Sequence, residues 1–276
     1  MAIAVASESP AGTQTLLRGL TVIDAVACGA RTLQSIGRAI GCTRSTTHRL
    51  VSALTATGHL GVVPGLGYVL GSKLIELGYL AREQLPLTTI TRPHLEDLAE
   101  RTQDTVHLGL SEGADVFYLD KLPAKRGLEM RSRIGFRMPL AFTGVGKALM
   151  LDMAEDRWRD LYESGRRWHA ERGTAPATFP SLDDFLARMR SYVAQSCAFD
   201  LEENEAGVRC VAAPIRDASG GIVAAISVAS AIQYMPLERL PQLGPLVMDT
   251  ATAISRELGW RDRAAVPGFS EIRARR

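Results

Sequence analysis

The sequence predicts a two-domain α+β chain: a small helical unit closed by a hairpin, then a larger α/β domain. Three observations carry this. The 276 residues exceed the usual size of one domain. Residues 15–71 hold three short helical patterns, then two β-like runs around a Pro-Gly turn. The remainder alternates strand and helix patterns, with no internal repeat.

Met1–Gln14 is rich in Ala, Ser, Gly and Pro and is expected to be a disordered tail, 1–14. Leu16–Ala27 places Leu16, Leu17, Leu20, Ile23 and Val26 at helical spacing, and Gly29 stops it. Thr32 caps a second short helix, Leu33–Ile40, and Gly41-Cys42 makes a tight break. Thr43 caps a third helix, Arg44–Thr57, which ends at Gly58. Its inward face is expected at Leu50, Val51, Ala53 and Leu54. Three such helices with a glycine turn before the third match a helix-turn-helix. Leu60–Val63 and Tyr68–Leu70, around Pro64-Gly65-Leu66-Gly67, form the hairpin, or wing, that closes the unit at 15–71. A helix from Ser72 to Arg82, punctuated by Pro86, makes 72–91 the linker.

In the second domain, 92–260, Arg92–Arg101 reads as helix, Val106–Leu110 and Val116–Leu119 as a strand pair, and Met130–Ile134 as a further strand. Helices are expected from Gly144 to Leu151, over Ala154–Ser164 and over Leu182–Gln195. Val208–Ile215 and Ile222–Ser230 form a hairpin around Asp217–Gly221, and a last helix runs from Leu237 to Leu258. A flexible tail is expected over 261–276.

Composition narrows the function. With 46% apolar and 22% charged residues the chain is an ordinary globular one, and no apolar run reaches the length of a membrane span. The start lacks the basic-then-apolar pattern of a signal peptide, and a cytoplasmic location is expected. Cys28, Cys42, Cys197 and Cys210 stand too far apart for a zinc or disulfide framework. Residues 1–80 carry six basic against three acidic side chains and the rest 26 against 27, so the basic excess lies in the front unit. The third helix opens Thr43-Arg44-Ser45-Thr46-Thr47-His48-Arg49. Hydroxyls and a helix N-terminus suit phosphates, and arginine suits guanine edges in a major groove. Thr32 and Thr43 to Arg49 are therefore the candidate DNA contacts. The turn of the wing carries no basic residue.

Other function classes have less support in the residues. Gly144-Val145-Gly146-Lys147 is not a phosphate loop, because Ala141 and Ala148 stand where Gly and Ser or Thr belong. Cys210 with His107 lacks a third orienting group for nucleophilic catalysis, so no enzyme is expected. A metal-sensing regulator using Asp200, Cys210 and His107 has no support from spacing. A protein-interaction module with a degenerate DNA-binding half is the remaining alternative, resting on the uncharged wing.

Several ordered segments carry a resemblance: Thr43–Leu50, Tyr68–Leu74, Arg92–Ala99, Thr105–Gly109, Thr143–Leu149 and, most specific, Glu202-Glu203-Asn204-Glu205-Ala206-Gly207-Val208-Arg209-Cys210 continuing to Pro214. Over residues 14–260 the chain resembles the IclR family of bacterial transcriptional regulators. The resemblance implies a winged helix-turn-helix, a linker helix and a GAF-like α/β effector-binding domain. It implies a homodimer or homotetramer on a palindromic or pseudo-palindromic double-stranded DNA operator. Dimerisation would mostly use the DNA-binding half and linker. The implied effector is a small carboxylic acid, aliphatic or aromatic, with no cofactor. Its pocket would be lined by Met130, Met138, Gly144, Val145, Asp200, Val208, Cys210 and Ser227, and Ala229 stands where the family often has a second serine.

Overall fold

The structure, a computed structural model, describes residues 13–84, 86–125, 130–173 and 179–262. The expected tails therefore lie almost wholly outside the described residues. Two compact units divide between Pro86 and Leu87.

In the first unit, α1 (Gln14–Ala27), α2 (Leu33–Ile40) and α3 (Arg44–Ala56) precede the hairpin β1 (Leu60–Val63) and β2 (Gly67–Leu70), and α4 (Ser72–Gln84) follows. Val22, Val26, Ile36, Val51 and Leu60 form its core. Helix α2 starts on a reciprocal cap: the Ser35 N–H donates to Thr32 Oγ1 (3.1 Å) and the Thr32 N–H to Ser35 Oγ (3.0 Å). It stops at Gly41, whose φ of 63° reverses the chain so that Thr43 can cap α3. Gly37 lets α2 and α3 touch, since an added Cβ would lie 2.9 Å from Thr47 Oγ1. The wing is pinned by Arg31: the Tyr68 N–H donates to the Arg31 carbonyl (2.9 Å), and Arg31 Nη1 donates back to the Tyr68 carbonyl (3.0 Å).

The second unit begins earlier than expected. Helix α5 spans Leu87–Thr102, so residues 87–91 belong to it and not to a linker running to 91. Pro93 sits inside α5, where it removes one backbone donor and leaves the helix intact. The strands β3 (Thr105–Glu112), β4 (Asp115–Leu122), β5 (Arg137–Pro139), β6 (Ala198–Leu201), β7 (Val208–Arg216) and β8 (Ile222–Ala231) form one antiparallel sheet in the order β5-β4-β3-β8-β7-β6. One face packs on α5 and α9 (Leu240–Glu257) through Leu95, Leu98, Val247 and Ile254. The other packs under α6 (Gly144–Leu149), α7 (Glu155–Arg172) and α8 (Leu182–Gln195) through Phe142, Trp158, Phe185 and Met189. Covered on both sides, β7 and β8 are apolar along nearly their whole length.

Four expectations are corrected. Met130–Ile134 is not a strand. The Met130 and Ser132 carbonyls accept from Lys121 Nζ (2.9 and 2.6 Å), which holds the segment as an irregular loop. Helix α7 does not end at Ser164, because Gly165 is a packing glycine: a Cβ there would lie 2.7 Å from the Phe142 ring. Strand β6 went unpredicted. Ala53 is exposed, and Thr47 takes its place on the buried face of α3.

Candidate functional site

The candidate residues lie on two surfaces, the N-terminal half of α3 and a cavity in the second unit. On α3, Arg44, Ser45, His48 and Arg49 are exposed. The Thr43 hydroxyl oxygen accepts from the Thr46 N–H (3.4 Å), and the hydroxyl donates to Thr46 Oγ1 (3.1 Å). Thr32 and Thr43 are thus caps with exposed side chains. Thr47 departs from the candidate list: it is buried, donates to the Thr43 carbonyl (2.9 Å) and packs on Gly37. Its hydroxyl is spent inside the unit. Arg38, which the sequence reading passed over, is exposed on α2 and lines the same hollow as Thr32 and Arg44.

The cavity, about 440 Å³, lies on the α6 side of the sheet, and all eight expected pocket residues line it. They come from distant segments. Met130 and Met138 flank the 130–136 loop, Gly144 and Val145 open α6, Asp200 is on β6, Val208 and Cys210 on β7, and Ser227 on β8. Register explains the convergence, since Asp200 pairs with Cys210, and Cys210 with Ala229. Gly144 is glycine for a reason the sequence did not disclose. Its face is filled by the Cys210 side chain, and an added Cβ would overlap Cys210 Sγ. Thr143 caps α6 by accepting from the Gly146 N–H (3.0 Å). The N–H groups of Gly144 and Val145 precede any in-helix acceptor.

His107, weighed from the sequence only as a catalytic or metal partner of Cys210, also lines the cavity, as do Ser132, Tyr118, Phe136, Trp168 and Asn204, which sequence reasoning missed. His107 is buried between two hydroxyls, Ser132 Oγ at 2.7 Å from Nε2 and Ser227 Oγ at 3.4 Å from Nδ1. Burial, then the Lys121 charge, lowers it to about 3, so the ring is neutral at physiological pH. Burial pushes the Cys210 thiol up to about 12, with the Asp200 charge adding to it, so this thiol is neither nucleophile nor ready ligand. Asp200 is pushed up to about 7 by burial, against the pull of Lys147. Its Oδ1 accepts from the Glu203 N–H (2.8 Å). The buried Lys147 ammonium donates to the Phe199 carbonyl (2.9 Å) and pairs with Glu203, whose other oxygen takes Arg188 Nη1 (2.6 Å). Burial draws the Lys147 pKa down, opposed by the charge of Asp200. Among the described residues no three His, Cys, Asp or Glu side chains group as a metal site, and no helix is long and apolar enough to cross a membrane.

A helix-turn-helix with an exposed cationic third helix, joined to an α/β domain with a semi-polar cavity, defines the class: a DNA-binding transcriptional regulator. The comparisons place the chain within that class. Residues 15–63 match the IclR helix-turn-helix domain and residues 79–256 the C-terminal domain of bacterial IclR transcriptional regulators. This chain belongs to the IclR family. It is 34% identical over 268 residues to the DNA-binding transcriptional repressor YiaJ of Escherichia coli, covering 93% of this chain and 92% of that one. The repressor BlcR of Agobacterium tumefaciens superposes with a TM-score of 0.75 at 24% identity, covering 92% of this chain and 100% of BlcR. An IclR homologue from Microbacterium hydrocarbonoxydans, complexed with 4-hydroxybenzoate, superposes with a TM-score of 0.55 at 22% identity, covering 88% of this chain and 98% of that one.

Proposed function

We propose that this regulator reads a palindromic operator as a homodimer, or a pair of dimers, and that a small carboxylic acid in the cavity changes its operator affinity. The observation that carries the reading is the convergence of eight residues from separate segments on one cavity of about 440 Å³, a volume suited to a small ligand. The two N–H groups that open α6, at its positive end, offer a carboxylate site. Ser227 and the neutral His107 supply hydrogen bonds, and Met130, Met138 and Tyr118 supply apolar wall. On the DNA side, Arg44, Ser45, His48 and Arg49 enter the major groove, with Thr32, Arg38 and Thr43 at the backbone. Leu16 (65% exposed) and Leu20 on α1, with Ile75 (77%), Leu77 and Leu80 on α4, leave apolar surface that a second copy would cover. The two recognition helices would then sit about 34–36 Å apart, or a multiple of that.

The test is a thermal-shift panel of aliphatic and aromatic acids, including pyruvate, benzoate and the 4-hydroxybenzoate held by the homologue. A binder at a hundredfold excess over its Kd stabilises the folded state by about 2.7 kcal/mol. The same acid must then shift operator affinity in fluorescence anisotropy, by a coupling of about 1–3 kcal/mol. A panel without a single shift overturns the acid-sensing reading, and affinity for operator DNA that does not fall with salt overturns the DNA-binding one.

A further inference from the structure

Five neighbouring strands each send one polar side chain to the cavity: Tyr118 from β4, His107 from β3, Ser227 from β8, Cys210 from β7 and Asp200 from β6. Register sets them in a row. His107 lies opposite Ser227, and Cys210 opposite Asp200. Tyr118 lies opposite Gly109, and its ring meets that of His107, two residues back along β3, with centroids 5.1 Å apart. At about 4.8 Å per strand the row crosses roughly 19 Å of sheet, more than one carboxylate can serve.

Four of the five have partners inside the fold. Asp200 Oδ1 accepts from the Glu203 N–H, and Cys210 hydrogen-bonds with Ser227. His107 sits between Ser132 Oγ (2.7 Å) and Ser227 Oγ (3.4 Å). Tyr118 is the exception. Its backbone is used, since its N–H donates to the Phe136 carbonyl (3.0 Å) and its carbonyl accepts from the Gly135 N–H (2.9 Å). The residue is only 5% exposed, and among the described residues its hydroxyl has no hydrogen-bond partner. Burial, then the charges of Cys210, Asp200 and Glu205, raises its pKa, so the phenol keeps its proton and is a donor. Those three residues line the same cavity as Tyr118. A buried donor without an acceptor is costly, and a phenylalanine would fill the same space without that cost.

We propose that the Tyr118 hydroxyl, with the His107–Ser132 pair against its ring, forms a second polar subsite that binds an oxygen carried by the effector away from its carboxylate. This deepens the acid-sensing reading and rests on it. The effector class narrows to acids with a remote hydroxyl or carbonyl oxygen. The Tyr118 ring is apolar wall for any ligand, but its hydroxyl rewards only one that brings an acceptor. An unsubstituted acid leaves the phenol unpaired and binds more weakly.

The experiment is titration calorimetry of the full chain with two matched pairs, 4-hydroxybenzoate against benzoate and 6-hydroxyhexanoate against hexanoate. In at least one pair the hydroxylated acid should bind about tenfold tighter or more, and which pair it is tells a ring from a chain. Tyr118→Phe should bring that pair to within about twofold, and Ser132→Ala should narrow it by less. Acids that bind with no preference in either pair overturn the proposal and leave the acid-sensing reading standing. So does a preference that survives Tyr118→Phe, since the oxygen is then read elsewhere. If none of the four acids binds, the acid-sensing reading fails and takes this proposal with it. Urea unfolding is the second measurement. Tyr118→Phe should keep or raise the midpoint, because the lost hydroxyl has no partner in the fold. A marked fall would show the hydroxyl paired within the protein and overturn the proposal.

Discussion

Gly144→Ala tests whether the start of α6 is set by Cys210. A Cβ at 144 overlaps Cys210 Sγ, while the next atoms, Cys210 Cβ at 3.5 Å and Ala212 Cβ at 3.6 Å, are at ordinary contact distance. The sulfur alone must yield. It is buried among Gly144, Ser227 and Ala212, so rotating it breaks its hydrogen bond with Ser227 and drives it into the cavity. Overpacking of this kind costs about 1–3 kcal/mol, and replacing a helical glycine by alanine returns about 0.5–1 kcal/mol. A net loss of about 0.5–2 kcal/mol is expected. Cys210→Ala alone leaves a methyl-sized void, worth about 1 kcal/mol. In the double variant the new methyl occupies that void, so the two changes should fall short of additive by about 1–2 kcal/mol. Urea unfolding followed by tryptophan fluorescence isolates the effect, since Trp158, Trp168 and Trp260 all lie in the second unit. Additivity within about 0.5 kcal/mol would refute the contact as the reason for glycine.

Four further outcomes follow from the structure. The pKa of His107 is depressed from 6.5 to about 3, so its contribution is present above pH 6.5 and is lost as pH falls towards 3. Asp200, raised from 3.8 to about 7, contributes fully below pH 3.8 and loses that as pH rises through 7. Between about pH 4 and 6 the two slopes oppose, each about 1.4 kcal/mol per pH unit, so Asp200→Asn should expose an acid loss in chemical denaturation that wild-type lacks. Thr47→Val removes a buried donor to the Thr43 carbonyl and should cost about 1 kcal/mol of stability in the first unit, read by circular dichroism. Arg44→Ala, exposed, should leave stability within about 0.5 kcal/mol yet weaken specific operator binding about tenfold or more in anisotropy. Lys147→Met strips a buried partner from Glu203 and should cost up to about 3–5 kcal/mol, tempered by Arg188, whereas Lys147→Met with Glu203→Gln should cost less than the single change.

Local chemistry made much of the fold legible. Helix α2 stands where its cap, Thr32, placed it, because the Thr32 hydroxyl accepts an N–H from the first turn, and α8 keeps the bounds its helical pattern set, Leu182–Gln195. The readings failed where a distant partner decided the outcome. Met130, Ser132 and Ile134 alternate like a strand, but the Lys121 ammonium claims the carbonyls a ladder would need. Ser164-Gly165 looks like a helix stop, but the Phe142 ring, which lies 23 residues earlier, fills the space a side chain would take. Strand β6 is four residues long and includes an aspartate, too little pattern for a period of two to stand out. The pocket list came from family resemblance, and all eight residues line one cavity. His107 was not placed among the pocket residues because a buried polar group is identified by its partners, and those of His107 lie 25 and 120 residues away.

The ion cluster beneath the cavity is best understood as a ruler. Buried pairs are poor sources of stability, since desolvation offsets most of the attraction, but they fix geometry strongly once formed. Lys147 leaves α6 one turn beyond Gly144, and its ammonium ends on the Phe199 carbonyl and on Glu203. The Glu203 N–H in turn holds Asp200 Oδ1. The start of α6 and the Asp200 carboxyl are thereby joined through one set of contacts. Aliphatic side chains at 147 and 203 would fill the same space more cheaply, yet leave the width of the cavity to loose packing. Lys147 is thus better accounted for by the geometry it imposes between α6 and the Asp200–Glu203 segment than by any stability it adds.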